Sequence, residues 1–202
     1  MKKTKLLFLL LPVALLLVYC SDEPEQDDNS GEAVTVAETT GASSTEALIK
    51  RGEYLLEIMS CHDCHSPKQM GPNGPEIIPG KGLSGHPADM PYQAVAPSSL
   101  PEGAALFNAT NTVTQGPWGI TFSANITSDE TGIGNWSEEQ FRKAFTQGKS
   151  KGMDNTRPLL PPMPWFNFVN ISDEDLHALF TYLKHTEPVK NVVPNPIPID
   201  EL

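Results

Sequence analysis

Cys61-His62-Asp63-Cys64-His65 is the stretch whose reading decides the fold. It is a C-x-x-C-H run, the attachment signature of c-type haem. Two thiols separated by two residues can each form a thioether to a vinyl group of one haem. The residue that follows, His65, is then held beneath the iron, where an imidazole nitrogen can serve as proximal ligand. His62 and Asp63 need do no chemistry. Two other uses of such residues fit less well. A structural zinc site wants four ligands, usually from two separated pairs, whereas the chain has 3 cysteines and the third, Cys20, lies far off near the N-terminus. A thioredoxin-like redox pair needs a βαβ context, which this sequence lacks. The run predicts one covalent haem c and its iron, with Cys61 and Cys64 as attachment points and His65 on the metal.

Working back from the run, Thr45 to Ser60 reads as a helix leading directly into Cys61. Thr45 can cap it, and Leu48, Leu55, Leu56 and Met59 form an apolar stripe. Gly52 sits inside this helix, where glycine costs about 1 kcal/mol relative to alanine, so another backbone is expected to come close there. Further back, residues 20–44 are acidic and rich in Ser, Thr, Gly and Ala, without an apolar period. Such a composition predicts a disordered tether. The first 19 residues hold Lys2, Lys3 and Lys5 followed by an apolar run from Leu6 to Val18, the pattern of a secretory signal. That run is short of the roughly 20 residues a spanning helix needs. Leu17-Val18-Tyr19-Cys20 resembles a bacterial lipobox, although Tyr19 is large for its position. A lipidated Cys20 would anchor the chain to a membrane, on the periplasmic side or at the cell surface, and would account for the odd cysteine.

The chain carries 14 basic and 25 acidic residues, a net charge of −11. Without the three lysines of the leader, 11 basic residues remain and the net is about −14. Nucleic acid is excluded as a partner for such a surface. Docking to a partner with a basic patch fits it, and so does plain solubility.

Working forward from the run, residues 66–136 are dense in Pro and Gly and lack helical periodicity. A loop of this length needs a ligand to pack on, and a haem face supplies one. Trp118 to Phe122 alternates as a short strand, while Asn125-Ile126-Thr127 and Asp129 to Gly134 read as turns. Ser137 opens a second helix with Gln140 as its capping-box partner, Phe141, Ala144 and Phe145 on one face, and Gly148 as its stop. The stretch Arg157 to Phe166 sets one methionine, Met163, among four prolines. Proline fixes φ and stiffens the chain, which is what a weak thioether ligand requires, so Met163 is expected as the second axial ligand. Met90, in the Pro/Gly-rich segment, stands as a competitor. Ser172 caps the last helix, where Leu176, Leu179, Phe180 and Leu183 form an amphipathic stripe. His177 and His185 read as solvated helix positions.

A helix into Cys61-x-x-Cys64-His65, a later Pro-Pro-Met163-Pro and a closing helix from Ser172 resemble a class I-type cytochrome c. Asn125-Ile126-Thr127, Thr131 to Trp136, Pro161 to Trp165, Ser172 to Leu176 and Pro188 to Asn191 are similar, more narrowly, to the haem modules of cytochrome c subunits of membrane-bound alcohol or aldehyde dehydrogenases. Those subunits usually carry three haem motifs and this chain has one. The resemblance implies a mostly α, cytochrome c-like domain over residues 45–193 with a long Pro/Gly-rich loop insertion, followed by an extended tail over 194–202. It implies that Gly52 meets Phe180 or Tyr182 where the first and last helices cross. It implies Met163 on the iron, Trp165 beside the haem, and Asn125 and Thr127 near the propionates. The expected activity is one-electron transfer rather than enzymatic turnover, between a dehydrogenase or respiratory complex as donor and a terminal acceptor. Two alternatives remain: an open-site haem protein acting as a peroxidase-like enzyme or sensor, and a permanently docked subunit of a dehydrogenase.

Overall fold

The computed structural model describes residues 37–202, with side chains from Ser44 onward. The expected signal, lipobox Cys20 and most of the tether lie outside the described residues. Among the described residues no helix is long and apolar enough to cross a membrane.

Helix α1 spans Ala37–Ile58. It starts eight residues before Thr45, so Thr45 is inside the helix rather than at its cap, and the last part of the expected tether is helical. Ala, Thr, Ser and Glu without Pro permit this extension. Helix α4, Asp173–Lys184, crosses α1, and the two make the most extensive contact between elements. Leu55 and Leu56 of α1 and Leu176, Ala178, Leu179 and Leu183 of α4 are buried in one cluster. Each fully buried leucine contributes roughly 1.5–3 kcal/mol. A Cβ on Gly52 would collide with the carbonyl oxygen of Ala178 and with Cβ of Tyr182. The close approach expected at Gly52 is thus present, and Tyr182 rather than Phe180 is the aromatic there. Arg51 closes the crossing with two hydrogen bonds to Asp175, at 2.8 and 3.0 Å, and this guanidinium holds the Asp175 carboxyl below its ordinary value.

Helix α3, Glu138–Gln147, supplies the third wall. Its capping box is complete: Gln140 N–H donates to Ser137 Oγ at 3.2 Å, and Ser137 N–H donates to Gln140 Oε1 at 3.0 Å. Gly148, at φ 65°, ends it. Phe141, Ala144 and Phe145 are buried as their spacing predicts. Phe141 stacks on Phe145 at 5.3 Å and Phe145 on Phe168 at 4.5 Å.

Between α1 and α3 the chain holds one short helix, α2 (Cys61–His65), and two small sheets. Strands β1 (Lys68–Gly71) and β2 (Gly74–Ile77) pair antiparallel, with Gly71 opposite Gly74. Strands β3 (Leu106–Phe107), β4 (Val113–Gly116) and β5 (Gly119–Phe122) form an antiparallel sheet in that order. The strand expected near Trp118 to Phe122 is β5; the other four carry no period-2 signal. β4 is buried at all four positions although it contains Thr114 and Gln115. The Gln115 amide is satisfied by Tyr92 Oη at 2.7 Å, Val95 N–H at 3.0 Å and Val95 carbonyl at 2.7 Å. "Mostly α" therefore describes the core and not the segment 66–136, which contains no helix beyond one short 3-10 turn, Pro97–Ser99. The tail is not free either. Ile197 exchanges backbone hydrogen bonds with Ile120 at 2.8 and 3.0 Å, adding a bridge to β5.

Candidate haem-binding site

The two thiols sit on a one-turn helix of their own. Ser60 adopts the left-handed conformation, at φ 55° and ψ 34°, and breaks the path from α1 into α2. The expected continuous helix into Cys61 is therefore two helices joined by Met59 and the strained Ser60. On α2, Cys61 and Cys64 are three residues apart and share a face. Cys61 packs against the helical core. Burial pushes its thiol up to about 11 and raises Cys64 as well, so both are protonated at neutral pH.

His65 is held at both ends. Its Nδ1 lies 2.7 Å from the carbonyl oxygen of Ala124. A carbonyl can only accept, so the ring proton is on Nδ1 and Nε2 keeps its lone pair. Burial lowers the pKa of His65 and keeps the ring neutral, as a metal ligand must be. The His65 carbonyl accepts from Gly85 N–H at 2.7 Å. The C-terminal carbonyls of α2 are gathered by Lys68, whose Nζ donates to Asp63 at 2.7 Å and to His62 and Ser66 at 3.2 Å each. A cation at a helix C-terminus is favourable.

The Met163 loop is fixed from two sides. Leu159 N–H donates to the Gly148 carbonyl at 2.6 Å, and Thr121 Oγ of β5 donates to the Pro161 carbonyl at 2.8 Å. The Pro161–Pro162 bond is cis. Met163 packs against the helical core together with Cys61. Other methionines are placed otherwise: Met70 and Met153 are exposed, and the competitor Met90 lines a surface cleft with Lys81 and Lys190. The Trp165 ring lies over Gly148, where no side chain fits. Phe166, next to Trp165, is 63 % exposed. His177 bonds Glu138 and His185 bonds the Thr181 carbonyl, both on the surface as expected.

Asn125 and Thr127 are buried, but their polar atoms are spent within the protein. Asn125 Nδ2 donates to the Val189 carbonyl at 2.8 Å and Thr131 Oγ at 3.1 Å. Its Oδ1 accepts from Thr127 N–H at 3.0 Å and Thr127 Oγ at 2.8 Å. Val189 N–H donates to Thr127 Oγ at 3.2 Å. The side-chain donors of these two residues are committed within the protein, where they shape the loop after Ala124. The free donor is elsewhere. Trp118 Nε1 is, among the described residues, the single buried side-chain polar atom without a partner. Trp118 lines a surface cleft with Lys151, Arg157, Leu160 and residues 195–198 of the tail. A cleft that carries two cations suits an anionic group such as a carboxylate.

β5 thus links the two halves of the site. Past one end, Ala124 holds His65; at Thr121 it holds the Met163 loop; before its other end lies the orphaned indole. The residues fit a covalently attached haem: two thiols on one face of a turn, a neutral imidazole with Nε2 available, and a thioether on the same core. Helices packed around such a C-x-x-C-H turn define a cytochrome c-like domain.

Known proteins agree with that class. No family model matches the chain. It is 32 % identical over 143 residues to the gluconate 2-dehydrogenase cytochrome c subunit of Pantoea cypripedii, covering 70 % of this chain and 24 % of that protein. It is 29 % identical over 154 residues to the cytochrome c subunit of a quinone-dependent alcohol dehydrogenase of Gluconobacter oxydans, covering 76 % and 24 %. It is 31 % identical over 148 residues to the fructose dehydrogenase cytochrome subunit of Gluconobacter japonicus, covering 72 % and 23 %. The chain is homologous to one segment of dehydrogenase cytochrome c subunits, as its motifs suggested, and spans about a quarter of the length of these relatives.

Sequence reasoning missed Ala124, Gly85, Lys68 and Asn191. Ala124 acts through its own backbone carbonyl, and Lys68 acts on the backbone carbonyls of others, which no motif encodes. Gly85 and Asn191 carry a signal only in hindsight, as a glycine before His86-Pro87 and as the end of the stretch Pro188 to Asn191.

Proposed function

We propose that this chain is a one-electron carrier with a single covalent haem c, ligated by His65 and Met163 and attached through Cys61 and Cys64. The observation that carries the reading is the hydrogen bond from His65 Nδ1 to Ala124, which leaves Nε2 for iron. When bound, the haem supplies one reversible electron between its ferrous and ferric states. The protein's part is to hold both axial atoms in place in both states, so that little reorganisation accompanies the electron. Met163, in a stiff loop tied to α3 and β5, closes the sixth position, which sets this reading against peroxidase-like or sensor chemistry. Trp165 walls that loop. The cleft lined by Trp118, Lys151 and Arg157 is the cationic surface for a propionate, the role first expected of Asn125 and Thr127. The Pro/Gly-rich segment is an insertion that wraps the cofactor.

The same reading places the chain outside the cytoplasm, where such haem is attached, anchored by lipid at Cys20. Its donor is a dehydrogenase and its acceptor another redox protein. The names of its relatives favour a chain docked on a dehydrogenase over a freely diffusing shuttle; co-purification with a dehydrogenase in mild detergent separates the two. The test of the ligation is the visible spectrum of wild type and Met163→Ala. The weak near-red band of iron–methionine coordination is expected in the first and absent from the second. A band that survives the substitution assigns the ligand to another methionine, and its absence from wild type opens the sixth site.

A further inference from the structure

Asn191 lies after the last helix, more than a hundred residues beyond the haem-attachment turn, yet it joins the two segments that grip His65. One segment is 83–88. Gly85 N–H donates to the His65 carbonyl, and Gly85, at φ 74°, lies so close to Ser123 and Ala124 that any Cβ would strike their carbonyl groups. The other segment is 123–127, whose Ala124 carbonyl accepts from the His65 ring. The two pair through His86 N–H to Ser123 O and Ile126 N–H to Leu83 O, each at 2.9 Å.

Asn191 spends its whole side chain on the first segment. Nδ2 donates to the carbonyls of Ser84 at 2.7 Å and His86 at 2.9 Å, and Oδ1 accepts from Ala88 N–H at 3.0 Å. Its backbone reaches the second through Asn125, directly and by way of Thr131, whose Oγ accepts from Asn125 Nδ2 at 3.1 Å. Its N–H donates to Thr131 Oγ at 3.0 Å, and its carbonyl accepts from Asn125 Nδ2 at 3.4 Å. Only an amide of this length supplies two donors and one acceptor at once.

We infer that Asn191 is a positioning residue for the proximal imidazole: by fixing both segments it holds the Ala124 carbonyl on His65 Nδ1–H and so sets how strongly His65 donates to iron. The inference rests on His65 being the proximal ligand. The physical reason is that a hydrogen bond to the outer ring nitrogen raises the basicity of the ligating one, which favours the oxidised metal. Weakening that bond should therefore favour the reduced state. A general loosening that lets in water does the opposite, because water stabilises the more charged oxidised haem.

The experiment uses the haem-loaded full chain, wild type against Asn191→Ala and the milder Asn191→Ser, with Arg142→Ala, which removes the exposed Arg142–Asp173 ion pair between α3 and α4, as a control away from Asn191. Two quantities are read: the reduced-to-oxidised ratio at a fixed poise, and the solvent exchange of the His65 Nδ1 proton in the reduced, diamagnetic protein by NMR. Both Asn191 variants should keep the near-red band, exchange that proton faster, and shift the ratio toward the reduced form by about threefold or more, with Asn191→Ser the smaller. Arg142→Ala should shift neither. Wild-type exchange and ratio in both Asn191 variants, or a ratio shifted toward the oxidised form, overturns the inference. A wild type in which His65 is not bound to iron overturns instead the assignment beneath it.

Discussion

Gly52 shows how much one missing Cβ decides. Glycine costs about 1 kcal/mol in a helix interior, and here that loss lets α1 and α4 meet backbone to side chain. The obstacle to any larger residue is the Ala178 carbonyl, part of α4 and unable to swing aside. Gly52→Ala should therefore destabilise the haem-loaded protein by about 1–3 kcal/mol, the usual cost of overpacking, despite alanine's better helix propensity. Chemical denaturation measures it; an unchanged or higher midpoint would mean that the helices separate easily. This residue was legible because a glycine in the middle of an apolar stripe needs a reason. Asn191 and Ala124 were not legible, since their importance lies in partners 59 to 107 positions away and in a main-chain carbonyl that every residue type possesses.

At the scale of elements, the helices follow from local rules. The Ser137 box, the Gly148 stop and the Ser172 cap all stand where their residue types require. The short strands do not follow. β4 buries Thr114 and Gln115 as fully as Val113, so no alternation marks it, and β1 and β2 have largely exposed faces. Outside regular elements the turn after α3 is held by charge. Lys143 on α3 and Lys149 beyond it bond Asp154 at 2.8 and 2.6 Å, and these two ammonium groups hold its carboxyl down to about 2. The folded value lies below the ordinary carboxylate value of about 3.9. The stabilisation is therefore complete above about pH 4 and is lost as pH falls through about 2. Asp154→Asn should lower stability slightly at neutral pH, with the difference from wild type closing between about pH 4 and pH 2. Parallel denaturation curves across that range check it; a difference that persists at pH 2 points to packing rather than charge. The pair is exposed, so added salt should shrink the neutral-pH difference too.

Across the whole described chain, polar burial is confined to one half, whereas apolar burial dominates the other and reaches into the first at Val113 and Ile120. The helical half buries leucines and phenylalanines from α1, α3 and α4 in one cluster, joined by Leu83 and Ile133. The buried polar residues among those described, from Ser66 and Ser84 through His86, Thr112 and Gln115 to Asn125 and Thr127, all belong to the segment between α2 and α3. An apolar cluster forms on its own account, whereas a buried hydrogen-bond network returns only about 1 kcal/mol per bond against a chain entropy of about 1–2 kcal/mol per residue. A half built in this way depends on whatever its residues enclose, and a ligand that binds only the folded state stabilises that state. Blocking attachment with Cys61→Ala and Cys64→Ala together should therefore act unevenly. Hydrogen exchange should show the amides of α4 and the core-facing part of α1 still protected, while those of β3 to β5 and of the Ala124 loop lose protection by orders of magnitude. Equal protection in both halves would mean that the network closes without the cofactor, and the Pro/Gly-rich segment would then be a self-sufficient platform, with its exposed Leu106 and Phe107 available to a partner whether or not haem is present.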